Sequence, residues 1–273
     1  MAEKKKPTIT NAAGYEEAKA AAQQGQAALT GNATGLRVGA IVLWVAAIVF
    51  EILAVLILFR KLNITFMPTI WALIILIVLD LACVIIGAQL WKKANHIRPA
   101  SEKNKLTFWL WNNMGVIVCV IAFVPFIILL LTNKNVDKKT KAIATVVAVI
   151  ALLIGGVSSY DWNPVSQEQQ QAATQQISED VYWTQFGHKY HVYEDCGAIK
   201  NSNTLYKGPV LEAIESGRTA MCSFCANRAE KDGMNLSGLN VEGRAAEKNE
   251  DAPASEAELP INTQAVPTVT GGN

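Results

Sequence analysis

Apolar residues crowd into positions 36–160, while 1–35 and 161–273 are polar. Four runs in that block are long and apolar enough to cross a bilayer as helices, which takes about 20 residues each. They predict transmembrane helices over Leu36–Phe59, Thr69–Trp91, Leu106–Leu131 and Lys141–Tyr160. Arg60, Lys61 and Pro68 divide the first pair, Lys92 to Lys105 the second and third, and Asn133 to Lys139 the last two. Trp71, Trp91, Trp109 and Trp111 fall near predicted ends, where amphipathic rings favour the headgroup zone. Pro125 should kink the third span. A large buried helical core is the alternative, but three runs exceed the required length with at most one internal charge, Arg37 lying at the edge.

Two of the internal charges are acids, Glu51 and Asp80. Counted from the loop that joins spans one and two, they lie about 13 Å and about 18 Å deep at 1.5 Å per residue. They are therefore expected to be neighbours in an antiparallel hairpin. Asn112 and Asn113 of span three lie close enough to the same level to offer Asp80 a hydrogen bond. Two readings stand: a proton or cation site between helices, or a polar contact that fixes helix packing. Span four carries Ala144, Ala148, Ala151, Gly155 and Ser159 on one face, a small-residue stripe that lets another helix approach closely. It reads as an assembly surface, through which the chain would form a homo-oligomer or meet another membrane protein.

Composition narrows the class. Of 273 residues 17% are charged, against about 25% in soluble proteins, and 51% are hydrophobic. That excludes an ordinary cytosolic enzyme, a disordered protein and a disulfide-rich secreted miniprotein. A formal net charge of +1 makes no case for nucleic acid as a partner. Residues 1–35 lack the apolar core of a cleavable signal peptide, so the first span is expected to serve as its own insertion signal. Within them, Tyr15 to Leu29 reads equally as a weak helix or as disorder. An even number of spans puts both termini on one side, and the basic residues of the loops are too evenly divided to choose it.

The polar C-terminal part has its own organisation. Asn163-Pro164 and the Gln-rich run after it suggest a capped juxtamembrane helix or a flexible stalk over 161–180. From Ala229 the acidic, Gly- and Pro-containing tail reads as disordered. Between them, Val181 to Arg228 is the informative stretch. Tyr182–Thr184 and Lys189–Tyr193 around Gly187 predict a β-hairpin, and Pro209 to Ser216 a short helix stopped by Gly217.

Cys196, Cys222 and Cys225 all fall in this stretch, with His188 and His191, while Cys83 and Cys119 lie in spans as apolar packing residues. Cys222-x-x-Cys225 lets two thiolates grip one ion from a tight turn. His191 and Cys196 form a second pair. One His and three Cys suit a structural zinc ion, and a domain this small needs such a staple. His188 is the rival imidazole. A disulfide would leave an odd thiol, and a redox C-x-x-C would want a βαβ context that is absent here. Glu194 and Asp195 beside Cys196 could serve a zinc-bound water, but four ligands favour a closed site.

The order Trp183, Gly187, Tyr190, His191, Cys196, Ala213, Gly217, Cys222, Cys225 resembles a small module of bacterial secreted, membrane and nuclease-associated proteins. That resemblance implies zinc held by one His and three Cys, a bacterial cell membrane as location, and an accessory rather than a catalytic role. Met221 stands where that family often has Pro, and the resemblance covers only this stretch.

The expectation is thus an α-helical integral membrane protein with four transmembrane helices and a small zinc-stabilised α+β module, made of a β-hairpin and a short helix. Its parts are a polar segment 1–35, the membrane domain 36–160, a stalk 161–180, the module 181–228 and a tail 229–273. Its work would be interaction or sensing, without enzymatic activity. The rival is a small oligomeric channel or transporter using Glu51 and Asp80, with the module as a regulatory cap. The need to keep three thiols reduced favours cytoplasmic termini, although the stretch without Lys or Arg after span four argues for export.

Overall fold

The computed structural model describes residues 7–12, 32–62, 65, 67–134 and 136–244. The weak helix or disorder expected at Tyr15–Leu29 and the tail beyond Arg244 lie outside them.

Among the described residues, four helices are long and apolar enough to cross a membrane: α1 (Ala33–Leu58), α2 (Thr69–Ile97), α4 (Met114–Thr132) and α5 (Lys138–Ser159). Short α3 (Lys105–Asn112) precedes α4. In α1 the buried alanines fall at 33, 40, 47 and 54, a seven-residue repeat that keeps one narrow seam against its neighbour. The facing seam of α2 runs Leu73, Ile77, Asp80, Val84, Gly87 and Trp91, so Asp80 is a polar residue at an inward position. At Gly87 an added Cβ would lie 2.5 Å from Trp44 Nε1, which shows how closely the pair packs.

The third predicted span is broken. Asn113 separates α3 from α4, and its side chain donates to the Trp109 carbonyl at 3.0 Å, while Asn112 donates to Phe108 at 3.1 Å. The Asn113 backbone N–H still donates to the Trp109 carbonyl at 3.0 Å, whereas the Trp111 carbonyl accepts from Trp91 Nε1 at 2.8 Å and from Asn95 Nδ2 at 3.2 Å, partners on α2 that stand in for the next helical N–H where the helix breaks. By contrast, helix α4 continues through Pro125.

The stripe Ala144, Ala148, Ala151, Gly155 and Ser159 is buried inside the chain. A Cβ on Gly155 would lie 2.7 Å from Cys119 Sγ, so α5 uses its small residues to approach α4. The assembly surface expected on that face is therefore an internal seam of the bundle.

Helix α2 runs six residues beyond Trp91, which carries the chain into a polar platform. There Trp91 lies between Trp44 and Trp111 in tilted contacts, with ring centroids 5.3 and 5.2 Å away, and Trp91 is buried within the chain. Arg37 lies over the Trp111 ring at 5.2 Å and donates to the Arg98 carbonyl at 2.8 Å.

Helix α6 (Gln167–Gln176) starts at Ser166, whose hydroxyl and Gln169 form a reciprocal capping box. The cap predicted at Asn163-Pro164 is thus displaced, because the box satisfies two N–H groups where Asn163 would satisfy one. Glu168 accepts from Ser101 Oγ and from Glu102 N, and Gln170 donates to the His96 carbonyl at 3.1 Å, tying α6 to the α2–α3 loop.

The C-terminal unit contains β2 (Val181–Trp183), β3 (Lys189–Tyr190), β4 (Thr204–Gly208), α7 (Val210–Glu215), β5 (Ala220–Met221) and α8 (Ser223–Lys231). A further strand, β1 (Thr8–Asn11), arrives from the N-terminal segment and pairs parallel with β4, which pairs antiparallel with β2 on its other side. Strands β3 and β5 pair in parallel. The expected hairpin is reduced to one antiparallel bridge between Tyr182 and His191, since each of its arms finds another main partner. Helix α7 begins after Pro209 and ends before Gly217 at φ +89°, a conformation that favours glycine.

Ordered structure also passes Arg228. Leu239 and Val241 are buried in the same core as Tyr190, Val181 and Leu205, and Met221 exchanges backbone hydrogen bonds with Asn240 and Glu242 at 2.8 and 2.9 Å.

Candidate functional site

Backbone pairing positions the first ligand pair. Tyr182 and His191 exchange two N–H···O bonds of 2.7 Å, which turns His191 inward. The chain then makes a tight turn in which Cys196 N donates to the Tyr193 carbonyl and the Cys196 carbonyl accepts from Ile199 and Lys200. The second pair comes from the end of β5. Cys222 is the N-cap residue of α8, its N–H donating to the Tyr190 carbonyl at 3.0 Å, and Cys225 lies in the first turn of that helix.

The outcome is a buried cluster. One ligand atom from each of His191, Cys196, Cys222 and Cys225 lies within 4.8 Å of the other three, and Cys225 Sγ is 3.8 Å from His191 Nδ1. The cysteines are free thiols. A tetrahedral ion with bonds of about 2.0–2.3 Å places its donors roughly 3.3–3.8 Å apart, so the cluster could bind a metal ion with little movement. His188, the rival imidazole, is exposed and outside the cluster. Glu194 and Asp195 are exposed too, Asp195 binding Arg228 at 2.8 Å.

Electrostatics show what the cluster suits. Burial pushes the Cys225 thiol up to about 12, although the N–H groups of Tyr193 and Val192 point at its sulfur and work the other way. Burial also raises Cys222, against the N–H groups of Cys225 and Phe224. Burial, then Lys189, pushes the His191 imidazole down to about 4, with Glu242 opposing. Thiols aligned with amide donors yet held in the neutral form by burial are the environment that a cation would convert to thiolates.

Sequence reasoning missed the supporting residues. Glu242 pairs with Lys189 and accepts from Ser223 Oγ at 3.3 Å, closing the start of α8. Tyr193 donates to Asp232 at 2.6 Å beneath the Arg228 guanidinium, which stands 4.0 Å from its ring centroid. Arg218 donates to the Thr184 carbonyl at 2.9 Å and so ties the turn after β2 to the strand that leads into Cys222. The acid and base residues were visible in the chain, but nothing local told which of many would meet.

A second group lies among the spans. Glu51 and Asp80 line one small cleft with Phe50, Ala54, Leu76, Ile77, Phe123 and Phe126. Asn112 and Asn113 do not reach it. Because α2 extends to Ile97, Asn112 instead meets Asn95, 3.3 Å away and roughly 22 Å along the helix from Asp80.

Fold and cluster together define a chain with four helices long and apolar enough to cross a membrane, joined to a unit whose His–Cys cluster could hold a metal ion. No family model, no curated protein and no solved structure matches the chain.

Proposed function

We propose that this is a membrane-anchored interaction or sensing protein whose C-terminal unit is held by one structural zinc ion. The observation that carries the reading is the convergence of His191, Cys196, Cys222 and Cys225, all buried, within 4.8 Å of one another. Three thiolates and an imidazole form a soft to borderline donor set that suits zinc and fills four positions, leaving none for a reacting water. When bound, zinc would supply folding free energy and the compensating charge for the thiolates. The chain's own residues do the rest: the Tyr182–His191 bridge orients the imidazole, amide N–H groups support the sulfurs, and Glu242 secures the start of α8. The motif resemblance, the membrane helices and the closed ligand set agree on an anchored binding unit rather than an enzyme. Elemental analysis of the purified full-length protein tests it. About one zinc per chain in the wild type, lost or strongly reduced in His191→Ala, is expected. A metal-free wild-type protein with an intact fold would overturn it.

A further inference from the structure

The cleft between α1, α2 and α4 holds a group that the zinc reading does not use. Asp80 is 4% exposed, and its Oδ1 is buried without a hydrogen-bond partner among the described residues. Glu51 of α1, half-buried, lines the same cleft. The titratable groups around Asp80 are few. Helix α1 presents Glu51, α4 presents Cys119, and α2 itself adds Cys83. The titratable groups of α5 are Lys138, Lys139 and Lys141 in its first turn. The cations of α1 and α2 are engaged elsewhere. Arg37 binds the Arg98 carbonyl, Lys92 binds the carbonyls of Ser158 and Tyr160, and Lys93 is an exposed residue more than three turns from Asp80.

Two carboxylates in an apolar cleft with no cation repel each other and lose their hydration, and one proton relieves both costs. A metal ion would do so less well. The cavity is about 10 Å³, room for about one water, and its remaining walls are apolar side chains, whereas hard cations want about six oxygens. We propose that Glu51 and Asp80 form one proton-binding site, a carboxyl pair that holds a single proton inside the membrane-spanning bundle. The acid O–H of one donates to a carboxylate oxygen of the other, which gives the orphaned Asp80 Oδ1 its partner. Binding and release are plain acid–base steps: the proton joins one carboxylate oxygen and leaves as hydronium, with no other bond changed.

A hydrophobic carbodiimide tests this on the full-length protein in liposomes. The reagent reacts with a protonated carboxyl in an apolar site: the acid proton moves to a carbodiimide nitrogen, and the carboxylate oxygen bonds to its carbon. Peptide mass spectrometry should find one adduct per chain, on Glu51 or Asp80, with labelling that falls through one transition as pH rises. In Glu51→Gln the Asp80 transition should move down by about one pH unit, a tenfold loss in proton affinity, because the neighbouring negative charge is gone. Sodium at constant pH should not protect. Absence of adduct at every pH, an unmoved transition in Glu51→Gln, or protection by sodium would each overturn the proposal. The pH and sodium series on wild type decide the matter even if the variant does not fold.

Discussion

Tyr182 and His191 are joined by two reciprocal backbone hydrogen bonds of 2.7 Å, and that single bridge delivers the imidazole to the three sulfurs. The bridge depends on the turn between the two residues. Arg218 holds that turn through the carbonyl of Thr184.

Arg218→Ala should therefore loosen the imidazole without touching a ligand. We expect metal affinity to fall by about tenfold, as for other groups that orient a ligand from behind. Competition with a coloured chelator measures it, and an affinity equal to wild type would show that the turn holds itself.

Chelation should act on one part of the molecule only. Stripping the metal from the purified protein is expected to expose the C-terminal unit to protease near Cys196 and Cys222. The four long helices should keep their far-ultraviolet signal, because their seams contain none of the ligands. Loss of helical signal in parallel would show that the two parts unfold as one.

These outcomes bear on what was legible in the chain. The long apolar helices are readable because hydrocarbon burial demands long apolar runs, and the His–Cys cluster because Cys-x-x-Cys spacing leaves few uses. The break at Asn113 is not, since the bonds from Trp91 and Asn95 to the Trp111 carbonyl are made between helices and leave no mark in the local sequence. Nor is the pairing of Thr8–Asn11 with Thr204–Gly208, because nothing local links strands so far apart in sequence. The small-residue stripe of α5 was correctly seen as a close-approach face, but periodicity cannot say whether the approaching helix belongs to the same chain.

The contact between α2 and α4 makes a quantitative test. A Cβ on Gly115 would lie 2.5 Å from Ala88 Cβ and 3.3 Å from Ala88 Cα, so α2 and α4 must separate to admit it. Gly115→Ala should destabilise the bundle by about 1–3 kcal/mol, as overpacking does. Gly156, with nothing within 4 Å of its would-be Cβ, is the control. Gly156→Ala should be neutral or stabilising by up to about 1 kcal/mol. Denaturant titration in mixed micelles distinguishes the two.

Glu212 of α7 gives the pH dependence. Burial, then the charge of Glu215, pushes its carboxyl from 4.5 up to about 7, and its Oε2 has no hydrogen-bond partner among the described residues. The folded value lies above the unfolded one. Between about pH 4.5 and about pH 7 the unfolded chain gives up this proton first, so stability falls as pH rises and the loss is complete above about 7. Glu212→Gln should remove that loss. After allowance for solvent screening of a half-buried group, it should stabilise by about 1 kcal/mol above neutral pH and by nothing below about pH 4.5. Thermal unfolding across that range checks the sign, and a variant less stable than wild type at pH 8 (roughly one unit above the folded value) would refute it.

The most direct measurement is X-ray absorption at the zinc edge on the full-length protein as purified. The account predicts one zinc whose first shell contains about three sulfurs near 2.3 Å and one nitrogen near 2.0 Å. A shell of oxygen and nitrogen, or no zinc in a folded protein with reduced cysteines, would contradict it.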